Sequence, residues 1–116
     1  MYIFYKILIF FYLSHHVIAE EFVYGLGDVP IFKDMRSIED SYILFDKVDG
    51  RYLYSEIKGE YAILEIQEYY EKVLPNLGWK LHKKNSFLRG EEILEIQYLI
   101  DNRETKVVFT ISPKNN

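Results

Sequence analysis

Most of this chain alternates apolar and polar residues with a period of two, and only one stretch switches to a helical period. Arg51 to Lys58 sets Leu53, Ser55 and Ile57 on one strand face and Tyr52, Tyr54 and Glu56 on the other. Ahead of it, Tyr42-Ile43-Leu44-Phe45 is a short apolar strand segment. Val48-Asp49-Gly50 between the two predicts a hairpin, because a tight turn needs the positive φ that Asp-Gly supplies. From Tyr61 to Leu77, the apolar residues Ile63, Ile66, Tyr70, Val73 and Leu77 recur at helical spacing, while Glu65, Glu68 and Glu71 fall outside their stripe. Pro75 belongs to the last turn or a cap, and Gly78 is placed to stop the helix.

Strands return after the helix. Trp79 to Lys84, Phe87 to Arg89, Ile93 to Ile100 and Thr105 to Ser112 are extended segments separated by the turns Asn85-Ser86, Gly90-Glu91 and Asp101-Asn102-Arg103. Residues 20–40 have no period; Gly25, Gly27 and Pro30 make them an extended arm, and residues 113–116 form a polar tail. Connections this short imply antiparallel neighbours. The predicted class is therefore α+β: residues 41–112 form a single antiparallel sheet in ββαβββ order, with three or four strands after the helix. One helix packs on one face, and the arm precedes the sheet.

One helix covers one side of such a sheet. The other side draws on Tyr52, Tyr54, Ile93, Leu99 and Val108, mixed with Glu95, Gln97 and Lys106. If contiguous, that face is too apolar to stand bare in water. Residues 22–40 are the nearest candidate to cover it, and a second molecule is the alternative.

The first nineteen residues follow a different rule. Met1 to Leu13 carries one charge, Lys6, in an otherwise apolar run; Ser14-His15-His16 breaks it, and Val17-Ile18-Ala19 precedes Glu20-Glu21. A short positive start, an apolar stretch and a small residue at the cut mark a signal peptide over 1–19, hence a periplasmic or secreted protein. An anchor to the inner membrane by the uncleaved segment is the alternative, although a span needs roughly 20 apolar residues. Removing the segment takes away Lys6 alone among the Lys, Arg, Asp and Glu residues, so the formal charge moves from −4 to −5. With no cysteine in the chain, the domain must hold together in an oxidising compartment without disulfides.

Candidate chemistry is sparse. The lack of cysteine excludes thiolate nucleophiles and Cys-ligated metals, and His82 is the only histidine after residue 19. Glu91-Glu92 and Glu95 divide between opposite strand faces, so no metal site is read here, nor any catalytic residue or cofactor. Gly-x-Ser-x-Gly is absent. Charge segregates instead: Glu60, Glu65, Glu68 and Glu71 mark the helix, and Lys80, Lys83, Lys84 and Arg89 lie near Trp79 and Phe87. Alternation puts Lys80, His82 and Lys84 on one side of their strand. That strip suits an anionic envelope component or an acidic protein, but the commoner reason for such lysines is protection of a sheet edge. Export and negative charge oppose a nucleic-acid partner. The candidate binding residues are Tyr52 and Tyr54 on the helix-free face, with Lys80, His82, Lys84 and Arg89 on the strip; tyrosines bury a ring and keep a wet hydroxyl, which suits interfaces.

Asp28-Val29-Pro30-Ile31, Glu39-Asp40-Ser41 ahead of Phe45-Asp46, Gly50-Arg51, and Tyr69-Tyr70-Glu71 running into Leu74-Pro75-Asn76-Leu77-Gly78-Trp79 form a pattern over residues 28–112. It resembles a group of small exported proteins of Gram-negative bacteria with no assigned activity, in which an aromatic pair on a helix leads into Leu-Pro-x-Leu-Gly-Trp. The resemblance implies an envelope location and a shared architecture, and transfers no catalytic residue. The expected function is a non-enzymatic binding or accessory module of the cell envelope. Its partner would be an envelope protein or an anionic envelope component, or a second copy in a homodimer, with membrane contact only through the signal segment. The alternatives are a small carboxylate-dependent hydrolase and an inhibitor-like protein docking through a hairpin such as Lys84 to Phe87.

Overall fold

The computed structural model describes residues 21–114; the predicted signal peptide, 1–19, lies outside them, as do the last two residues of the tail. The elements are β1 (Arg36–Lys47), β2 (Gly50–Gly59), α1 (Ile63–Asn76), β3 (Lys80–Lys83), β4 (Ser86–Arg89), β5 (Glu92–Asp101) and β6 (Glu104–Pro113). The strands form one six-stranded sheet in the order β1-β2-β6-β5-β4-β3, and every neighbouring pair is antiparallel. Class, single sheet, helix and leading arm are as the hydrophobic pattern predicts. Four strands follow the helix.

The arm is shorter than predicted. Residues 36–40 open β1, where Arg36, Ser37 and Ile38 pair with Lys58, Ile57 and Glu56. Pro113 closes β6 opposite Glu92 instead of starting the tail. Both extensions come from hydrogen bonding to a partner strand, which leaves no mark on local alternation. Between Ile38 and Ile43 the register slips, and the bulge is stitched by Ser41, whose hydroxyl donates to Ile38 O and accepts the Glu56 N–H at 3.1 Å.

The helix begins without a side-chain cap at Ala62 and ends in a Schellman arrangement. Trp79 N–H reaches Leu74 O at 3.0 Å and Gly78 N–H reaches Pro75 O at 3.1 Å, with Gly78 at φ +92°. Ile66, Tyr70 and Leu74 are its buried stripe. Tyr70 meets Phe109 of β6 edge to face at 5.3 Å between ring centres. That contact identifies the covered side of the sheet, which by register and alternation also carries Leu53, Ser55 and Ile57, Leu94 and Ile96, and Val107 and Ile111.

The arm lies on this same side, and the expectation that it covers the opposite face is overturned. Val23, Leu26, Val29, Ile31, Phe32 and Met35 join the one core cluster with the helix stripe. Ser55 on β2 donates its hydroxyl to Tyr24 O at 2.7 Å, and Tyr70 on the helix donates to Pro30 O at 2.7 Å. Width explains the placement. Six strands spaced about 4.8 Å apart span roughly 24 Å, whereas a helix with its side chains is only about 10–12 Å across. Helix and arm together make the second layer.

Close approach of the arm also explains Gly59. A Cβ at that position would sit 2.5 Å from Met35 Cγ and 3.4 Å from its Cα, and Met35 is buried. Gly59→Ala is expected to destabilise the fold by about 1–3 kcal/mol through overpacking, which a urea titration measures.

Candidate functional site

The face away from the helix carries Tyr52, Tyr54, Glu56 and Lys58 on β2, Lys106, Val108 and Thr110 on β6, and Ile93, Glu95, Gln97, Leu99 and Asp101 on β5. This is the mixture of residues predicted for it. Its two halves differ sharply. Toward β5 it is ionic: Lys58 pairs with Asp101 at 2.6 Å, and Lys106 lies 4.0 Å from Glu56. Val108, flanked by Glu56 and Gln97 in register, is only 4% exposed although no helix covers it. Bare apolar surface is thereby removed from the middle of the sheet by long polar side chains lying over it.

At the β1–β2 end the same face is apolar and aromatic. Ile43 and Phe45 stand directly opposite Tyr54 and Tyr52, and with Thr110 and Ser112 they line an open groove of about 340 Å³. Ile43 is 46% and Phe45 58% exposed. The tyrosine hydroxyls are fixed at the rim: Tyr52 donates to Asp49 at 2.8 Å and Tyr54 to Glu56 at 2.5 Å. The Glu56 hydrogen bond is the main reason that the Tyr54 phenol is pushed up to about 12, so it stays neutral and donating through the physiological range. Lys47 places its ammonium 5.0 Å from the centre of the Tyr52 ring, a cation–π contact at the groove's end.

The six residues singled out from the sequence do not form one site. Tyr52 and Tyr54 sit together in the groove, but Lys80 and His82 lie on β3, four strand spacings away at the opposite sheet edge, about 19 Å by the usual spacing. The predicted single-sided strip is not regular. β3 slips register between Leu81 and Lys83, and Lys84 has moved into the turn. All four β3 side chains are exposed, as lysines guarding an edge should be. Arg89 belongs elsewhere: its Nη1 donates to Asp28 at 2.8 Å and to Leu77 O at 3.0 Å, and its guanidinium lies 4.2 Å from the Trp79 ring centre. It ties the arm to the helix end and β4. Phe87, at the end of the hairpin considered for inhibitor-like docking, is buried in the core.

Ile43 and Phe45 were not among the predicted binding residues. The run Tyr42 to Phe45 read only as a strand, although pairing it across the Val48-Asp49-Gly50 turn already sets Ile43 and Phe45 beside the two tyrosines.

The carboxylates with displaced pKa values serve pairs. Hydrogen bonds from Arg51 to Glu92, from Lys58 to Asp101 and from Arg36 to Glu104 hold each acid below its ordinary range. A carboxylate whose folded pKa is depressed stabilises the fold above its unfolded pKa, and that contribution disappears as pH falls through the folded value. Denaturant midpoints are therefore expected to fall on acidification below about pH 4, and Arg51→Gln is expected to flatten part of that dependence. No cluster of three metal-ligating acidic, histidine or cysteine side chains occurs among the described residues, and none of their helices is long and apolar enough to cross a membrane. No protein-family model, curated protein or solved structure matches the chain.

Proposed function

We propose that this protein is an exported, non-enzymatic binding module of the bacterial envelope, acting from the periplasm or outside the cell. Its working surface is the groove between β1 and β2, and its partner is an envelope protein that inserts apolar or aromatic side chains there. The observation that carries the reading is the exposure of Ile43 and Phe45 beside Tyr52 and Tyr54 on the uncovered side of the sheet. Rings held at one end by hydrogen-bonded hydroxyls present large contact area at low entropic cost, as aromatic anchors of interfaces do. A protein partner is favoured over an anionic polymer because the cations are dispersed. Arg89 is engaged by Asp28, Lys80 and Lys83 stand on the far edge, and the groove's own cation, Lys47, rests on Tyr52. The leader-like pattern of residues 1–19 and the resemblance over residues 28–112 support the envelope location.

The test is site-specific photo-crosslinking from Thr110, on the groove wall, in cells expressing the full chain. The expected result is a discrete protein adduct that Tyr52→Ala/Tyr54→Ala abolishes and Lys80→Glu/Lys84→Glu retains. An adduct pattern unchanged by the tyrosine substitutions, or abolished by the lysine substitutions alone, overturns the reading.

A further inference from the structure

We infer that two copies of this chain pair through the outer edge of β1, making one continuous sheet in which each copy extends the other's groove. The two sheet edges are unlike. β3 is four residues long with lysines at Lys80 and Lys83, whereas β1 runs twelve residues and exposes Ile43, Leu44 and Phe45 in succession. A long apolar edge of this kind is a template for strand addition.

Backbone direction sets the register. Glu56 turns its N–H toward β1, where Ser41 Oγ accepts it. Alternation along β2 then points the backbone groups of Tyr54 and Tyr52 toward β1 as well, at their partners Ile43 and Phe45. The N–H and C=O of Leu44, lying between those two, therefore face outward. A two-fold axis perpendicular to the sheet keeps each face on its own side, so it sets Leu44 opposite Leu44 and Ile43 opposite Phe45 of the second copy. The apolar strip of the groove then runs uninterrupted from one copy into the other. Charge agrees with this register: the antiparallel arrangement brings the Lys47 end of each strand toward the acidic bulge, Glu39 and Asp40, of the other. Among the described residues neither acid has an ion-pair partner of its own. The bulge ends the regular edge, limiting pairing to Tyr42 through Asp46. This pairing does not require the groove to bind anything else.

The experiment is sedimentation velocity on the exported product of the full chain over a range of concentrations, with amide exchange read at Leu44. The expected result is a mass twice that of one chain, and protection of the Leu44 amide that grows with concentration. Leu44→Lys sets two like charges face to face on the axis and is expected to weaken association by on the order of a hundredfold or more. Leu44→Pro removes the outward N–H, a change that sheet edges tolerate, and is expected to give a folded monomer by circular dichroism. A monomer at every concentration, a dimer indifferent to both substitutions, or a dimer whose Leu44 amide exchanges freely overturns the inference. Should both variants fail to fold, the wild-type mass and the Leu44 exchange decide it alone. A wild-type dimer that gives no Thr110 adduct to another protein, or one that the tyrosine substitutions leave unchanged, would count against the partner reading only.

Discussion

Tyr70→Ala is expected to cost about 3–5 kcal/mol, the range for truncating a fully buried aromatic side chain, and Tyr70→Phe about 1–3 kcal/mol, the penalty for a buried acceptor left without its donor. Tyr70 is the joint between the two parts of the covering layer. Its ring contacts Phe109 of the sheet and Tyr69 of the helix, and its hydroxyl donates to Pro30 O of the arm at 2.7 Å. Burial pushes the phenol well above its ordinary pKa, so the hydroxyl remains a donor through the physiological range. The two substitutions separate ring packing from arm docking. Tyr70→Phe is expected to leave the far-ultraviolet spectrum unchanged while trypsin cleaves faster after Lys33 and Arg36. Urea titration supplies the free energies. If Tyr70→Phe matches the wild type in both assays, the hydroxyl does not hold the arm.

Arg89→Ala is expected to lower stability by about 2–3 kcal/mol, combining charge-assisted hydrogen bonds with a cation–π contact. The contribution of the Asp28 pair is kept small within that figure because both partners are partly exposed, 33% for Arg89 and 47% for Asp28. More depends on the bond to Leu77 O at 3.0 Å and on the stack over Trp79. Leu77 ends the helix, where carbonyls lack helical partners and favour a cation. Arg89→Lys keeps the charge but loses the planar fork, so it is expected to recover less than half of the loss. Asp28→Asn is expected to cost less than Arg89→Ala and to show most of the salt sensitivity. A cost near zero for Arg89→Ala would return this residue to the exposed basic strip.

Arg89 illustrates how residue type misleads without neighbours. In sequence it sits with Lys80, Lys83 and Lys84 and shares their charge, which made it a candidate ligand-binding residue. Lys80 and Lys83 are indeed outside, on a strand that has an edge to protect, and Lys84 is exposed in the turn that follows. Arg89 faces inward from β4, because its neighbours Phe87 and Trp79 are buried and Asp28 arrives from the arm, 61 positions away. Tyr52 and Tyr54 fared better, since strand alternation alone places them on the side opposite Leu53 and Ile57. Their companions Ile43 and Phe45 required the hairpin register, which the bulge at Ser41 would have spoiled had it fallen nearer the turn.

Local chemistry was sufficient for the helix, the hairpins and the division of each strand into two faces. These follow from apolar period and from turn residues, and both act within a few positions of the chain. Placement of the arm was not legible in this way. Val23 to Met35 is apolar without a period, so it can pack against either side of a greasy sheet. The choice falls to the helix side because one helix leaves part of the six strands unroofed there, and because the hydroxyls of Ser55 and Tyr70 on that side meet the arm's carbonyls at Tyr24 and Pro30. That decision belongs to the tertiary structure, since it depends on the width of six assembled strands and on contacts such as Tyr70 to Pro30 that join segments far apart in sequence.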